Sequence, residues 1–577
     1  MDQKNLFLAI AISVAILFGF QFLMPRPVHP VAPTPTASAP TPSGTIGATP
    51  LDAGSAPVPP PREVPRVKIA GTRVEGSVSL LGARIDDLVL RDYRETLAKD
   101  SPLVRLLEPR GDPQPYYVQF GWTAPAGSTV KLPDNNTLWT ASGDPSLTTG
   151  GRLLLSWDNG AGQVFQIALG LDEYYMFSVQ QSVRNSTDAA ISVTPWSRIR
   201  RDYTPVVAGY YILHEGLIGV LGAGHILEEQ KYAVVKTEGD KDGGLSFTAT
   251  GPGGWAGVTD KYWLTAIVPD QGAPSVAEFT HTLNPADGYQ VAFRAAEPEV
   301  VAPHGDAMLA SHLFAGAKEV HLLDRYEAQL HIPAFWKAVD FGWFSLITRP
   351  FFYGIDWLNS KVGNFGVAIM MFTLLIKLLF FPLANYSYRS MSKMKLLGPK
   401  MTALKEQYKD EPQKLQAATM GLYKSEKVNP ASGCLPMLIQ IPVFFSLYKV
   451  IFVTIEMRQA PFFGWIHDLS AVDPTNVFNL FGLIPFDPAA SFPLLHLGLW
   501  PLIMGFTMFF QQKLNPPPPD PTQAKLFQFM PIIFTFMLAR FPAGLVIYWS
   551  WNNTLTIAQQ WFIMRRTRLS KPSLARV

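Results

Sequence analysis

The chain has 577 residues, 48% of them hydrophobic and only 16% charged, with a net charge of +3 and a positive mean hydropathy; this is the balance of a membrane protein with a sizeable soluble part. So small a net charge sets up no global field toward nucleic acid, and DNA is not expected among its partners. A single cysteine, Cys434, rules out an intrachain disulfide and any thiol or zinc cluster.

The first apolar stretch, Leu6 to Met24, predicts a transmembrane anchor over residues 1–24. A small-residue cleavage pattern, Ala37-Ser38-Ala39, lies too far past the apolar core for a signal peptide. Residues 25–63 are rich in Pro, Ala, Thr and Ser, a composition that buries no core and reads as an extended linker. Residues 64–335 are β-rich, with turn signals such as Asp158-Asn159-Gly160 between short apolar runs (Leu153–Trp157 and Val164–Leu169). They predict one large antiparallel β-sandwich. Its scattered histidines, His214, His225 and His281, show no metal-ligand spacing. Residues 336–362 are aromatic-rich, and Trp343, Phe351, Phe352 and Trp357 suit a helix lying in a membrane interface.

Five spans crowd into residues 363–565, at about 363–383, 433–455, 493–513, 525–541 and 542–562. The loop 384–432 carries nine Lys/Arg against four acids, and the tail 566–577 carries basic residues with no acid. The loop 456–492 has Arg458 against Glu456, Asp468, Asp473 and Asp487. Cytoplasmic loops hold the excess of Lys and Arg, so the basic loop and tail are predicted in the cytoplasm and the β-domain in the periplasm of a Gram-negative inner membrane.

Lys377 is the only charged residue between Phe365 and Leu383. A cation at mid-bilayer costs on the order of 3 kcal/mol or more and as a rule faces a polar cavity or a partner. With this orientation it lies about 9 Å from the cytoplasmic end of its span, with Thr373 one turn away on the same face. Gln440 falls in the same half-membrane, and Asn552, Thr556 and Gln559 recur at i, i+4, i+7 in the last span. The periplasmic halves of these spans are nearly all Leu, Ile, Phe and Met. A through-channel needs polar lining on both sides; this pattern predicts a groove open only to the cytoplasm. Lys449, near a periplasmic end, reads as a snorkelling lysine.

Within the basic loop, Met391, Met394, Met401 and Leu404 fall at helical spacing, and after a break near Asp410-Glu411-Pro412 a second helix follows. This predicts a hairpin with an adaptable, Met-lined face. No phosphate-binding G-x-x-x-x-G-K-[ST] motif is present; neither enzymatic activity nor a cofactor or metal is expected.

Four strings carry a resemblance: KSEKVNPASGCLPMLIQIPVFFSLY (424–448), MRQAPFFGWIHDLSAVDP (457–474), GFTMFFQQK (505–513) and FPAGLVIYW (541–549). Over about residues 340–565 the chain resembles the YidC/Oxa/Alb membrane-protein insertase family, and its anchor, linker and large extra domain match the Gram-negative form. The resemblance implies a membrane α-helical bundle, an N-terminal anchor plus a five-helix core, with a periplasmic β-sandwich of the supersandwich type related to sugar-processing folds. It implies an insertase and chaperone that inserts, folds and assembles inner-membrane proteins through a cytoplasm-open groove. The implied partners are nascent inner-membrane proteins, the bilayer and Sec translocon components, with the ribosome a further candidate. A family-typical groove arginine aligns with Lys377, which keeps the charge without the bidentate fork, and the family's exit-side aromatic pair is here Tyr548-Trp549. Between Thr475 and Phe492 the loop is longer than the family pattern leads one to expect.

Overall fold

The computed structural model describes residues 64–207, 213–283, 287–408, 411–426, 435–484, 495–514 and 521–569. The predicted anchor and linker, Cys434, and the basic tail from residue 570 lie outside them.

Alternating polar and apolar residues build the β-domain. In the strand Arg66–Ala70, Val67 and Ile69 point inward while Arg66, Lys68 and Ala70 are exposed, the period-2 pattern of a half-buried strand. Two sheets result, one of 11 strands and one of nine. Their pairings are antiparallel except that Arg66–Ala70 runs parallel to Ser146–Thr148. The turn at residues 158–160 sits where its residues predict. Leu155 faces Ile167 across the hairpin, Gly160 takes a positive φ of 73°, and Asp158 accepts its N–H at 2.8 Å. Strands buried on both faces, such as Gly216–Leu221, lie deep in the sandwich. Trp255, Phe335 and Phe314 stack edge-on there at 5.2 and 5.6 Å.

Two helices belong to this domain, α1 (Tyr232–Gly239) and α2 (Val320–Leu330). A short 3-10 turn, Phe335–Ala338, and a bend follow, in which Asp340 accepts the Gly342 N–H. Helix α3 (Ser345–Val362) comes next. The predicted interfacial helix therefore begins nine residues later than residue 336, because Gly342, at φ 72°, breaks the helical path. The ion pair Arg349–Asp324 (3.0 Å) and the hydrogen bond between His321 and Asp356 (2.9 Å) fasten α3 to α2. Phe352, Ile355 and Leu358 are buried, whereas Leu346 and Trp357 on another face are exposed.

The helical domain comprises α4 (Phe365–Leu379), α5 (Phe381–Leu396), α6 (Gly398–Gln407), α7 (Pro412–Ser425), α8 (Leu435–Val453), α9 (Leu499–Leu514), α10 (Pro521–Leu538) and α11 (Ala543–Leu569). Among the described residues no single helix is long and apolar enough to cross a membrane, although α4 and residues 381–394 pass together as a pair bent by 68°. The predicted span 363–383 is corrected accordingly. Pro382 has no N–H for the Leu378 carbonyl and its ring crowds that turn, so α4 ends at Leu379 and residues 381–383 open α5. At 15 residues, α4 is about 22 Å long. The last helix also departs from the expected boundary, continuing to Leu569 through the start of the basic tail.

The hairpin differs too. Met391 and Met394 lie on α5, but Met401 and Leu404 lie on α6, beyond a turn at Leu397. Pro399 in the first turn of α6 starts a new helix rather than continuing the old one, so the four do not share one helix face. All four are half-buried, and Lys400–Glu426 (2.6 Å) ties the end regions of α6 and α7 together.

Candidate functional site

Helix α4 shows how the site arises. Gly366, Ala368, Ile369 and Thr373 face the bundle, while Met371, Leu374, Leu375, Leu378 and Leu379 are exposed, so the helix is apolar on its outer face as well as its inner one. Lys377 lies one turn beyond Thr373, half-buried, and its Nζ donates to Thr556 Oγ1 on α11 at 2.9 Å. That hydroxyl has its own proton committed to the Asn552 carbonyl at 2.7 Å, which leaves its lone pairs for the ammonium. Among the described residues no carboxylate pairs with Lys377, so the cation meets only a neutral partner.

The other predicted residues divide. Gln440 donates from α8 to the Tyr548 hydroxyl on α11 at 2.5 Å. Asn552 is buried on the same helix, and its neighbour Asn553 donates to Thr507 on α9 at 3.3 Å. Gln559 holds its Nε2 shut from solvent without a hydrogen-bond partner. Thr373 is buried, and its hydroxyl donates to the Ile369 carbonyl at 2.7 Å, the local bond that threonine makes inside helices; the hydrogen bond of Lys377 goes to Thr556 instead. Tyr548 and Trp549 point about 100° apart, as consecutive helix residues do. Tyr548 is buried against Gln440. Trp549 packs edge-on to Phe444 at 4.6 Å and tilted to Phe534 at 6.0 Å.

Residues not singled out from the sequence complete this seam. Tyr388 on α5 is buried and hydrogen-bonded to Gln560, with Ser387 buried beside it and Ser446 buried on α8. Both α5 residues sit in a stretch read as cytoplasmic loop, which hid them. On α10, Pro531 lacks the N–H that would occupy the Phe527 carbonyl, and Gln512 of α9 donates to that carbonyl instead.

The opposite end of the bundle is closed by apolar packing and backbone bonds. Ala460, Ile466, Leu469, Ala543 and Ile547 form one cluster, and Met504, Leu538 and Val546 another. Ala543 N–H bonds the Ala471 carbonyl at 2.6 Å and Gly544 N–H the Leu469 carbonyl at 2.9 Å. Asp473, buried, accepts from Trp465 Nε1 (3.1 Å), Thr475 N–H (3.0 Å), the Thr475 hydroxyl (2.7 Å) and Trp500 N–H at the start of α9 (2.9 Å). Helix α11 thus runs from a sealed apolar end into a polar seam that begins at Tyr548.

The two domains meet at this sealed end. Lys449 does not snorkel freely: its Nζ lies 2.8 Å from the Asp340 carboxylate and donates to the Asp340 carbonyl at 3.0 Å. Arg458 donates to the carbonyls of Arg94 (2.6 Å) and Glu95 (3.1 Å). Glu456 accepts the Val320 N–H at 2.9 Å, capping α2, while its Oε2 is enclosed without a partner. Burial pushes the Glu456 carboxyl up to about 8 from an ordinary 4.5. The fold then retains a proton that the unfolded chain sheds, so this group's contribution to stability is greatest below pH 4.5 and declines as pH rises toward 8. Glu456→Gln keeps an acceptor for Val320 and cannot ionise. Thermal melts of the full chain in detergent are expected to show the variant more stable than wild type at pH 8 and equal to it at pH 4.5; a difference only at acid pH would refute the assignment.

Among the described residues no group of three or more His, Cys, Asp or Glu side chains is placed to hold a metal. His281 instead sits between the Asp240 (3.1 Å) and Asp287 (3.2 Å) carboxylates.

Two family profiles match the chain, the YidC periplasmic domain over residues 66–354 and the 60Kd inner membrane protein over residues 357–571. A protein of Granulibacter bethesdensis named "Membrane protein insertase YidC" is 59% identical over 100% of both chains. The chain belongs to the YidC family. A protein of the same name from Acidiphilium cryptum is 53% identical over 89% of this chain and 86% of its own. A crystal structure described as an active YidC insertase with the first transmembrane domain resolved aligns with 86% of this chain and 92% of its own, at 19% identity and a TM-score of 0.35. This YidC-family chain is therefore an inner-membrane protein, and its β-sandwich is the family's periplasmic domain.

Proposed function

We propose that the chain is a membrane-protein insertase and chaperone, taking hydrophobic segments of nascent inner-membrane proteins from the cytoplasm and releasing them into the bilayer. The observation that carries this reading is the one-sided seam: α11 is polar from Tyr548 to Gln560 and sealed by apolar packing at Ala543–Ile547. In the topology we propose, the anchor, α4 with the first turns of α5, α8, α9, α10 and α11 are embedded. The hairpin α6–α7 and the basic C-terminus face the cytoplasm.

An incoming hydrophilic flank, often acidic, exchanges water for the seam and rests near Lys377, replacing or joining Thr556 as its partner. Desolvating the flank in two stages lowers the barrier to crossing, and the segment's own burial drives its exit into lipid, aided by the membrane potential on acidic residues. The hairpin guides entry with half-buried Met401 and Leu404 on α6, helped by half-buried Met391 and Met394 at the end of the preceding α5. Sec translocon components are proposed partners on longer substrates, and the ribosome is one for the basic tail, whose attraction to RNA phosphates would be salt-sensitive.

The test is complementation of an insertase-depleted Gram-negative strain, with protease protection of a pulse-labelled single-span protein as readout. Wild-type chain is expected to restore both growth and insertion. Growth without insertion, or neither, would overturn the reading.

A further inference from the structure

Two unlike stretches of the loop between α8 and α9 lie among the described residues. Residues 456–473 are tied down, Arg458 to the periplasmic domain and Asp473 to Trp465, Thr475 and Trp500. Residues 474–484 contain no charged side chain, and Phe478, Leu480, Phe481, Leu483 and Ile484 are all exposed. Leu480 and Phe481 take positive φ of 49° and 59°, a left-handed conformation unfavourable to residues other than glycine, within the turn that exposes them.

The backbone explains what kind of surface this is. Val477 N–H bonds the Leu497 carbonyl, Phe481 N–H the Asn476 carbonyl, Leu483 N–H the Leu480 carbonyl and Ile484 N–H the Asn479 carbonyl. Phe478 and Gly482 N–H groups are taken by the side chains of Asn476 and Asn479. Six N–H groups of this turn are thus taken and its exposed side chains are apolar, with half-buried Asn479 turned to Gly482, which suits the headgroup–acyl boundary, where remaining carbonyls still meet water. A partner strand or peptide would instead need those groups free for main-chain pairing.

We propose that residues 477–484 form an anchor inserted into the periplasmic leaflet, its apolar side chains at the headgroup–acyl boundary. This rests on the reading above that α8 and α9 are embedded, since their ends set the depth of the loop. The exposed apolar surface of α9, with Phe506, Phe509 and Phe510, continues the same lipid-facing character along the chain.

The full chain carrying Cys434→Ser is labelled with an environment-sensitive fluorophore at single cysteines and reconstituted in phospholipid nanodiscs. Leu483→Cys is the main probe, with Ile484→Cys as the alternative if the first variant does not fold. Leu97→Cys on the periplasmic domain, 53% exposed, reports water, and Phe506→Cys on α9 reports membrane. The expected result is a blue-shifted emission at Leu483, quenched by lipids spin-labelled near the headgroup and intermediate between the two references. Emission at Leu483 as red as at Leu97, with Phe506 shielded, overturns the anchor and leaves the embedded bundle standing. If Phe506 is also aqueous, the proposed membrane placement fails with it. Cross-linking of Leu483→Cys to a second copy, with no lipid quenching, overturns the anchor in favour of a protein contact.

Discussion

Lys377→Met is expected to abolish insertion of single-span substrates in the depleted strain while leaving the purified chain at least as stable as wild type. The reason is the setting of the ammonium. It sits half-buried on α4 with a neutral hydroxyl, Thr556 Oγ1, as its hydrogen-bond partner, and among the described residues no carboxylate offsets it. Such a cation raises the free energy of the fold by on the order of 3 kcal/mol when it sits at the bilayer centre, and methionine fills similar space without that penalty. A residue retained only for architecture would lose stability and activity together. Lys377→Arg keeps a cation and is expected to retain most insertion. Lys449→Ala tests the opposite case: its ammonium is paired with Asp340 at the sealed end, so the variant is expected to lower the melting temperature and spare insertion. Equal insertion by Lys377→Met and wild type would remove the groove charge from the mechanism.

Asp473→Ala is expected to produce the largest loss of stability of any single substitution in the helical domain. Three N–H groups and one hydroxyl converge on this buried carboxylate. Alanine would orphan the Trp465 indole N–H and remove the cap on α9; each buried donor left unmet costs about 1–3 kcal/mol, and a lost cap about 1 kcal/mol. A total of roughly 3–7 kcal/mol follows if about half of the donors find water. Asp473→Asn retains one acceptor oxygen and should fall between. Gly498 belongs to the same unit, since a Cβ there would lie 2.7 Å from the Asp473 carboxyl carbon. Melting curves of the wild type and the two variants in detergent check the order wild type, Asp473→Asn, Asp473→Ala, and a wild-type-like Asp473→Ala would show that the convergence carries no stability.

Much of this architecture was legible from local pattern. Alternation identified the strands, the Asp-Asn-Gly turn identified its hairpin, and Lys377 declared itself by being alone among apolar residues. The stripe Asn552, Thr556, Gln559 was visible because helical spacing brings i, i+4 and i+7 to one face. Tyr388 stayed hidden because it lies on a helix whose start is set by one proline rather than by a change in hydropathy.

Local composition shows which stretches are apolar, which loops carry the positive charge and where polar residues recur along the last helix; these are sums over neighbouring residues. Partners depend on the tertiary structure. Lys377 meets Thr556 from 179 residues away, Gln440 meets Tyr548 from 108, and Lys449 meets Asp340 from 109. Such pairings depend on how each helix is rotated and seated against the next, and a shift of one residue turns a side chain by about 100°, which no local pattern encodes.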